Sequence, residues 1–335
     1  MRLPLIRLFL LCVIYFLIGA CKKEITNSKS NLKPVAIFNE LWNLLDQRYA
    51  LFSIKNVDWN EIKREYSSKI TDNMSERELF NSLTNMILNL KDGHVALVSP
   101  FDTAVYVRFY TAYSKNFNYN NIVKNYLKND PKQIGPVIFK VTDKVGYIYY
   151  GSFAESMTDE QLKLIFDELK DANGLIIDVR NNTGGNTSNA ARLVRFLTNE
   201  KTLVKYELIK KGIGHTEFFD PQAFYLNPVV IPYTKPVVIL TNRACFSACN
   251  DFVLYLSEYP NVKLVGDQTG GGGSIPHNYI LSNGWKIQYS ATITLSPSKQ
   301  PVENGIIPDI PIGINSFDET SGRDPILEKA FNLLR

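Results

Sequence analysis

Cysteine and histidine are scarce in this chain of 335 residues, which has four cysteines and three histidines. So few cysteines exclude a disulfide framework of the kind that holds small secreted domains together. Cys245 and Cys249 are four positions apart, a spacing that makes a poor bridge on a helix, and we expect both to pack as small buried residues. No group of cysteine, histidine and acidic residues has the spacing of metal ligands, so neither a metal nor another cofactor is expected.

The chain also lacks a strong charge of one sign. Its 37 basic and 33 acidic residues give a net charge of +4, and they are interspersed along the sequence. Because no basic stripe is visible, no nucleic-acid partner is expected. Low-complexity tracts and fixed-period repeats are absent as well, while 45% of the residues are hydrophobic. The composition is therefore typical of a globular protein with one large domain and room for a small one.

The longest uncharged run near the start, from Leu8 to Ala20, has only 13 residues. As a helix it would extend about 20 Å, less than the roughly 30 Å hydrocarbon core of a membrane. Arg2 and Arg7 precede it and small residues follow it, so residues 1–20 are predicted to be an export signal. Removal of this segment takes away two arginines and no acidic residue, which lowers the net charge to +2.

The tetrad that ends in Cys21, Ile-Gly-Ala-Cys, resembles a bacterial lipobox. That resemblance implies a lipid on the Cys21 sulfur, and several acyl chains hold a protein stably at a membrane. Residues 21–33, rich in serine, asparagine and lysine, are predicted to form a flexible tether. No aspartate follows Cys21, and by analogy this favours sorting to the outer membrane. The expected location is therefore the cell envelope of a Gram-negative bacterium.

Hydrophobic periodicity divides the rest of the chain into three parts. Apolar residues recur at helical spacing from Val35 to Leu90, which indicates a helical subdomain over residues 34–98 whose last helix starts near Ser75. Residues 99–136 show few clean periods and are interpreted as a connector of short strands and loops. Residues 137–335 alternate between strand and helix patterns, as in an α/β domain with parallel strands.

Within the α/β part, the patterns predict individual elements. The predicted strands are 146–150, 174–180, 236–240 and 262–266, and the predicted helices are 159–169, 189–197, 247–256 and 324–334. Asn283-Gly284 lies between two alternating runs and predicts a β-hairpin within residues 275–296.

Ser247 is a candidate nucleophile because it follows a buried strand pattern and opens an amphipathic helix. A helix N-terminus favours developing negative charge. A serine at such a position is more often an ordinary N-cap, so the position alone leaves both interpretations open. Gly184 and Gly185 end the preceding strand and would let backbone N–H groups approach a ligand, as an oxyanion donor must, although a simple turn also uses glycine.

His94, in an Asp-Gly-His sequence after the helical subdomain, is ambiguous because a lone histidine is more often structural than catalytic. His215 and His277 lie in polar stretches with no apolar strand or helix to position them, and both are interpreted as surface residues. The glycine-rich segment 269–274 follows a strand. It is not a phosphate loop, because the lysine that such a loop needs is replaced by Gly272.

Five segments, in the same order, resemble the C-terminal processing (tail-specific) peptidase family. They are residues 90–95, 174–185, 240–248, 264–271 and 302–310. The resemblance implies a crotonase-like (ClpP/crotonase) α/β/α core with Ser247 as nucleophile. It also implies an oxyanion hole made by the N–H of Ala248 and that of Gly184 or Gly185.

In the tricorn-core branch of that family, a histidine and a glutamate complete the site, and these match His94 and Glu303. The chain departs from the family at three places. The Ser-Lys branch has a lysine where this chain has Gly272, so that dyad is missing. The tricorn-core branch has a serine where this chain has Gly93, so the link from histidine to glutamate is direct, through water or from another residue. Only about 40 residues separate His94 from the strand near Val137, too few for the PDZ domain of many members.

The resemblance therefore predicts a serine peptidase that hydrolyses peptide bonds of exported proteins or peptides through an acyl-enzyme. Two other functions stay open. A catalytically lapsed member would be a lipoprotein that binds peptides or apolar ligands. An enzyme of the related fold would act on acyl-CoA, although that substrate is cytoplasmic. Labelling of Ser247 by a fluorophosphonate distinguishes a serine hydrolase from both.

Overall fold

The computed structural model describes residues 33–128 and 130–335, which belong to one compact unit. The predicted export signal, the lipidation of Cys21 and all but the last residue of the predicted tether lie outside the described residues. Within the described ranges, no helix combines the length and the apolar character that a membrane span requires.

Four helices come first: α1 (Pro34–Arg48), α2 (Phe52–Lys55), α3 (Trp59–Ser67) and α4 (Glu76–Leu88). α4 begins with a capping box, in which the side chains of Ser75 and Glu78 each accept the other's backbone N–H. α1 and α3 are joined by Trp42 and Trp59, whose stacked ring centroids lie 6.2 Å apart. Each indole N–H donates to the other residue's carbonyl, which satisfies both buried donors.

Short elements follow α4, and all of them except the first lie in the predicted connector of residues 99–136. They are β1 (Ala96–Val98), β2 (Thr103–Val105), α5 (Arg108–Thr111), α6 (Tyr119–Asn121), a π-helical turn (Ile122–Tyr126) and β3 (Lys132–Ile134).

The α/β part follows the predicted alternation. Its elements are β4 (Val137–Thr142), β5 (Val145–Tyr150), α7 (Asp159–Leu169), β6 (Gly174–Asp178), α8 (Thr187–Arg195), β7 (Thr202–Ile209), β8 (Gln222–Leu226), β9 (Val237–Thr241), α9 (Ala248–Ser257), β10 (Val262–Gly266), β11 (Pro276–Ile280), β12 (Lys286–Ser290), β13 (Thr292–Leu295), β14 (Ile310–Pro311), α10 (Ser316–Ser321) and α11 (Pro325–Leu334).

A seven-stranded sheet in the order β14-β10-β9-β6-β5-β4-β3 forms the centre of the α/β part. The five strands from β14 to β5 are parallel, and β4 and β3 are antiparallel. Along β6, Leu175 and Ile177 pack in one cluster with residues of α7, α8 and α9, whereas Ile176 packs with α11 on the other face. Helices therefore cover both faces, and the predicted α/β/α fold class is confirmed.

Two smaller sheets complete the fold, with the orders β11-β12-β1-β2 and β13-β7-β8. β11 and β12 are the predicted hairpin, in which Tyr279 lies opposite Ile287. The N-terminal helices share one hydrophobic cluster with these sheets, so that Leu83 and Leu97 belong with Trp285 to the same core. Within the described ranges, residues 34–98 therefore have no hydrophobic core of their own, because their core is shared with the smaller sheets.

Candidate active site

Ser247 lies at the turn between β9 and α9. Its backbone has φ +56° and ψ −123°, a conformation that costs a non-glycine residue about 1–3 kcal/mol and persists only where surrounding contacts hold it. One such contact is the hydrogen bond of 2.9 Å from the Ser247 N–H to the Gly271 carbonyl. The Ser247 side chain makes no capping bond to α9, so the interpretation of this serine as an ordinary N-cap is wrong.

His94 faces the Ser247 hydroxyl. His94 Nε2 lies 3.1 Å from Ser247 Oγ, although 153 positions separate the two residues in sequence. The His94 backbone is fixed by its N–H, which donates to Asp92 Oδ1 at 2.8 Å, and by its carbonyl, which accepts from Gln288 at 3.1 Å. Burial lowers the pKa of His94. The neutral imidazole, which can accept a proton, is therefore the main form at neutral pH.

Glu303 is buried, but it does not bond to His94 in this structure. Its Oε1 forms a salt bridge of 2.9 Å with Nζ of Lys55, the last residue of α2. Among the described residues, Glu303 Oε2 and His94 Nδ1 are both buried without a hydrogen-bond partner. The direct hydrogen bond that would orient the imidazole is therefore not formed, and the link between His94 and Glu303 stays a prediction.

Asp92 and Lys55 enlarge the site beyond the residues chosen from the sequence. Asp92 Oδ2 accepts a hydrogen bond of 2.7 Å from Ser290. Burial and the charge of Asp92 raise the pKa of Glu303 to about 7, an effect that Lys55 opposes. When ionised, the two acids outnumber the one lysine, and a net negative charge favours the imidazolium that forms as His94 accepts a proton. Asp92 lies in a matched segment, whereas nothing in the sequence singled out Lys55.

Two backbone N–H groups beside Ser247 are available to bind an oxyanion. Neither the Gly185 N–H nor the Ala248 N–H has an acceptor among the residues that the structure describes. The Gly184 N–H donates instead to the Asn182 side chain at 2.9 Å, so of the two predicted glycine donors only Gly185 has an unpaired N–H among the described residues. Gly184 and Gly185 have φ values of +98° and +132°, which favour glycine. A Cβ on Gly184 would lie 2.9 Å from the Ala248 nitrogen, too close for another residue.

The ring of Phe246 lies against both Gly93 and Gly272. A Cβ on Gly93 would lie 2.8 Å from this ring, and a Cβ on Gly272 would overlap it. Phe246 stacks on Phe109, with centroids 4.3 Å apart, and its ring centroid lies 4.7 Å from that of His94. Aromatic packing therefore contacts the imidazole, and the Phe246 ring occupies the space that a side chain at position 272 would need.

The remaining histidines and the cysteines lie outside this cluster. His215 is half-buried rather than a plain surface residue, because its Nε2 lies 2.8 Å from Asp46 Oδ1 and its ring packs on Phe52. His277 is exposed on β11, as expected. Cys245 and Cys249 are free thiols and buried. Over the described ranges, no group of three or more histidine, cysteine or acidic residues is arranged to hold a metal ion.

A serine and a histidine in hydrogen-bond contact, beside free backbone donors at a helix N-terminus, are the parts of a serine hydrolase site. The family model of Peptidase family S41 matches residues 144–312, and the model of the Tricorn protease C1 domain matches residues 33–87. The chain therefore belongs to peptidase family S41, a family of serine-type peptidases, and the resemblance to C-terminal processing peptidases is confirmed.

Solved and curated relatives agree with this assignment. A protein from Parabacteroides merdae ATCC 43184, solved as a candidate peptidase, is 39% identical, with 90% of this chain and 96% of that chain covered and a TM-score of 0.87. The carboxyl-terminal-processing protease of Synechocystis sp. (strain PCC 6803) is 28% identical over 211 residues, which are 60% of this chain and 47% of that protein. The photosystem II D1 C-terminal processing protease shares the fold, with 17% identity, coverage of 83% and 92%, and a TM-score of 0.54. The chain spans about half the length, or less, of the curated relatives it matches.

Proposed function

We propose that this protein is a peptidase that hydrolyses peptide bonds through an acyl-enzyme on Ser247. The observation that carries the proposal is the 3.1 Å contact between Ser247 Oγ and His94 Nε2 next to two free backbone N–H groups. Ser247 Oγ attacks the scissile carbonyl carbon while its proton passes to His94 Nε2. The Gly185 and Ala248 N–H groups bind the oxyanion.

The tetrahedral intermediate then collapses. The carbon–nitrogen bond breaks, and the His94 imidazolium donates its proton to the leaving amine. Water attacks the resulting ester and gives a proton to His94. His94 then returns this proton to Ser247 Oγ as the bond between the acyl carbon and Oγ breaks and the new acid leaves. In this proposal, Glu303 and Asp92 stabilise the imidazolium electrostatically, and Glu303 orients it once its free Oε2 meets the His94 Nδ1–H.

The substrate in this proposal is an extended peptide or an unfolded segment of an exported protein. β11 is an edge strand of its sheet and all five of its residues are exposed, so its free edge is open to strand addition. The residues leading into it, from Gly272 to Pro276, line a cleft together with Ser247 and Ala248. A peptide paired with β11 would therefore pass the nucleophile without help from a PDZ domain.

The export and membrane attachment of the protein belong to the same proposal and rest on residues 1–21. A Cys21→Ser change should abolish incorporation of labelled fatty acid and release the protein from the membrane fraction. If Cys21→Ser left fatty-acid labelling and membrane partitioning unchanged, the lipid anchor would be contradicted. The peptidase proposal would not be affected.

One observation favours the alternative of a lapsed, peptide-binding member, namely the pairing of Glu303 with Lys55 instead of His94. An assay of peptide hydrolysis distinguishes the active peptidase from the peptide-binding member. The full-length protein, incubated with a mixed peptide library and followed by mass spectrometry, should generate new termini that are absent with Ser247→Ala. A library that both proteins leave intact, but that both retain on affinity capture, would support the binder and contradict the peptidase.

A further inference from the structure

A cleft of about 270 Å³ opens directly beside Ser247. It is smaller than the roughly 300–1,000 Å³ of sites that enclose whole small molecules, and this size suits a single side chain. Its walls include both proposed oxyanion donors, Gly185 and Ala248, together with the segment that leads into β11.

The position of the cleft relative to His94 identifies which substrate residue enters it. In acyl transfer, the histidine protonates the leaving amine, so the leaving-group side of the substrate lies at His94. The cleft is lined by Ser247 and the oxyanion donors, but His94 is not among its lining residues. It therefore lies on the acyl side and receives the side chain whose carbonyl is attacked, the P1 residue.

The inner wall of this cleft carries a buried ionic cluster of three residues. Lys205 Nζ lies 3.0 Å from Glu207 Oε1 and 3.1 Å from Asp251 Oδ2, and each side chain is less than a tenth exposed. Asp251 lies one helical turn after Ser247 on α9, and its N–H donates to the Ser247 carbonyl at 3.0 Å. Lys205 and Asp251 line the cleft, whereas Glu207 is not among its lining residues.

The hydrogen bonds of this cluster are incomplete. Asp251 Oδ2 accepts from both Lys205 and the Tyr255 hydroxyl. Among the described residues, Asp251 Oδ1 is buried without a hydrogen-bond donor. When both acids are ionised, two carboxylates and one ammonium leave one formal negative charge unbalanced. Burial and the charge of Glu207 accordingly raise the pKa of Asp251, an effect that Lys205 opposes. The cleft thus lacks one hydrogen-bond donor and one positive charge, and a buried carboxylate requires both.

We infer that this cleft is the P1 specificity pocket and that Asp251 makes it select a basic side chain, lysine or arginine. A P1 ammonium or guanidinium would donate to Asp251 Oδ1 and bring the cluster to two acids and two cations. A P1 leucine would leave Asp251 Oδ1 unpaired and shielded from water, and a P1 glutamate would add a second unbalanced charge. This inference rests on the proposed peptidase function, which it deepens by naming the substrate class.

The test compares matched peptides that differ only at P1. With the wild-type full-length protein, kcat/KM for P1 lysine or arginine should exceed that for P1 leucine by about tenfold or more, and P1 glutamate should be cleaved least. Asp251→Asn keeps the shape of the side chain and removes its charge, so the lysine-to-leucine ratio should fall by about tenfold or more. Lys205→Gln removes the competing ammonium and should raise the same ratio.

Asp167→Asn is the matched control, because it removes one negative charge from an exposed i,i+4 pair on α7 outside the cleft. It should leave the ratio unchanged. A wild-type preference for apolar P1 residues would overturn the inference, even if the variants failed to fold. The inference would also be overturned if Asp251→Asn lowered kcat/KM equally for all peptides while its melting temperature stayed unchanged. Failure of the proposed function looks different, because the wild type would then cleave none of the peptides.

Discussion

The proposed catalytic unit consists of two side chains, Ser247 and His94, in direct contact. If both serve the same proton transfer, Ser247→Ala and His94→Ala should each lower kcat by roughly 10⁴-fold or more, and the double variant should be hardly worse than either single variant. Steady-state kinetics of the three variants on one peptide checks this. Losses that multiply in the double variant would mean that another group accepts the serine proton, and a His94→Ala variant that keeps most of its activity would exclude His94 as the base.

Glu303 gives the pH profile its expected shape. Its pKa is raised to about 7, whereas burial lowers that of His94 from its usual 6.5. If ionised Glu303 is needed to stabilise the imidazolium, the wild-type kcat/KM should rise with pH through about 7. In Glu303→Gln, the rate should be lower and the acid limb should move below pH 6.5, because only His94 then titrates. An acid limb that stays near 7 in Glu303→Gln would contradict this role.

The same carboxyl affects stability, and the sign follows from its raised pKa. Between the unfolded pKa near 4.5 and the folded value of about 7, the folded protein binds the extra proton. Glu303 should therefore make the free energy of unfolding fall as pH rises across this window, by about 3 kcal/mol. His94, with its lowered pKa, contributes the opposite slope below pH 6.5. Urea unfolding of wild type and Glu303→Gln at pH 5 and pH 7.5 isolates the Glu303 contribution. If the free energy of unfolding changed equally between these pH values in both proteins, this contribution would be refuted.

At the level of elements, a buried ion triad holds the start of α11 against the end of β6. Arg180 is fully buried and bonds to Asp178 and Asp324, with shortest contacts of 2.7 Å and 2.9 Å. Asp324 also caps α11, accepting the Leu327 N–H at 3.0 Å. The chain continues from Arg180 into the loop of Gly184 and Gly185, so the triad supports the loop that carries the proposed oxyanion donor Gly185.

Asp324→Ala should therefore lower the free energy of unfolding by about 3–5 kcal/mol, because it leaves a buried guanidinium with one carboxylate and also removes a helix cap. Asp324→Asn keeps the cap and should cost less. Urea unfolding at neutral pH measures both. A loss below about 1 kcal/mol for Asp324→Ala would show that solvent or a rearranged neighbour compensates for the missing carboxylate.

Elements with a strong local signal were predicted well from the sequence. α7 has the predicted bounds, and the turn at Asn283-Gly284 gave the β11–β12 hairpin. The pair β7 and β8 was not predicted, because these strands form a sheet with β13 through pairing distant in sequence. Ser247 and His94 stood in matched segments and could be chosen. Lys55 and Asp251 could not be chosen from the sequence, because their proposed roles depend on contacts with Glu303 and Lys205 that form only in the folded chain.

At the level of the whole molecule, the two proposed catalytic residues come from different hydrophobic cores. His94 is flanked by Leu90 and Val95, which belong to the core shared by the N-terminal helices and the smaller sheets. Ser247 is flanked by Cys245 and Ala248, which belong to the core between the large sheet and its helices. The serine–histidine contact therefore exists only when both cores are formed, which explains why no local sequence pattern contains it.

The most direct measurement of the central claim is the reaction of the full-length protein with a fluorophosphonate, followed by peptide mapping in a mass spectrometer. Activated by His94, Ser247 should carry the phosphonyl group, at a rate that falls by roughly 10²-fold or more in His94→Ala and to zero in Ser247→Ala. Both variants should keep the wild-type melting temperature to within a few degrees. An unmodified Ser247 in the folded wild-type protein, or equal labelling rates in wild type and His94→Ala, would contradict the account.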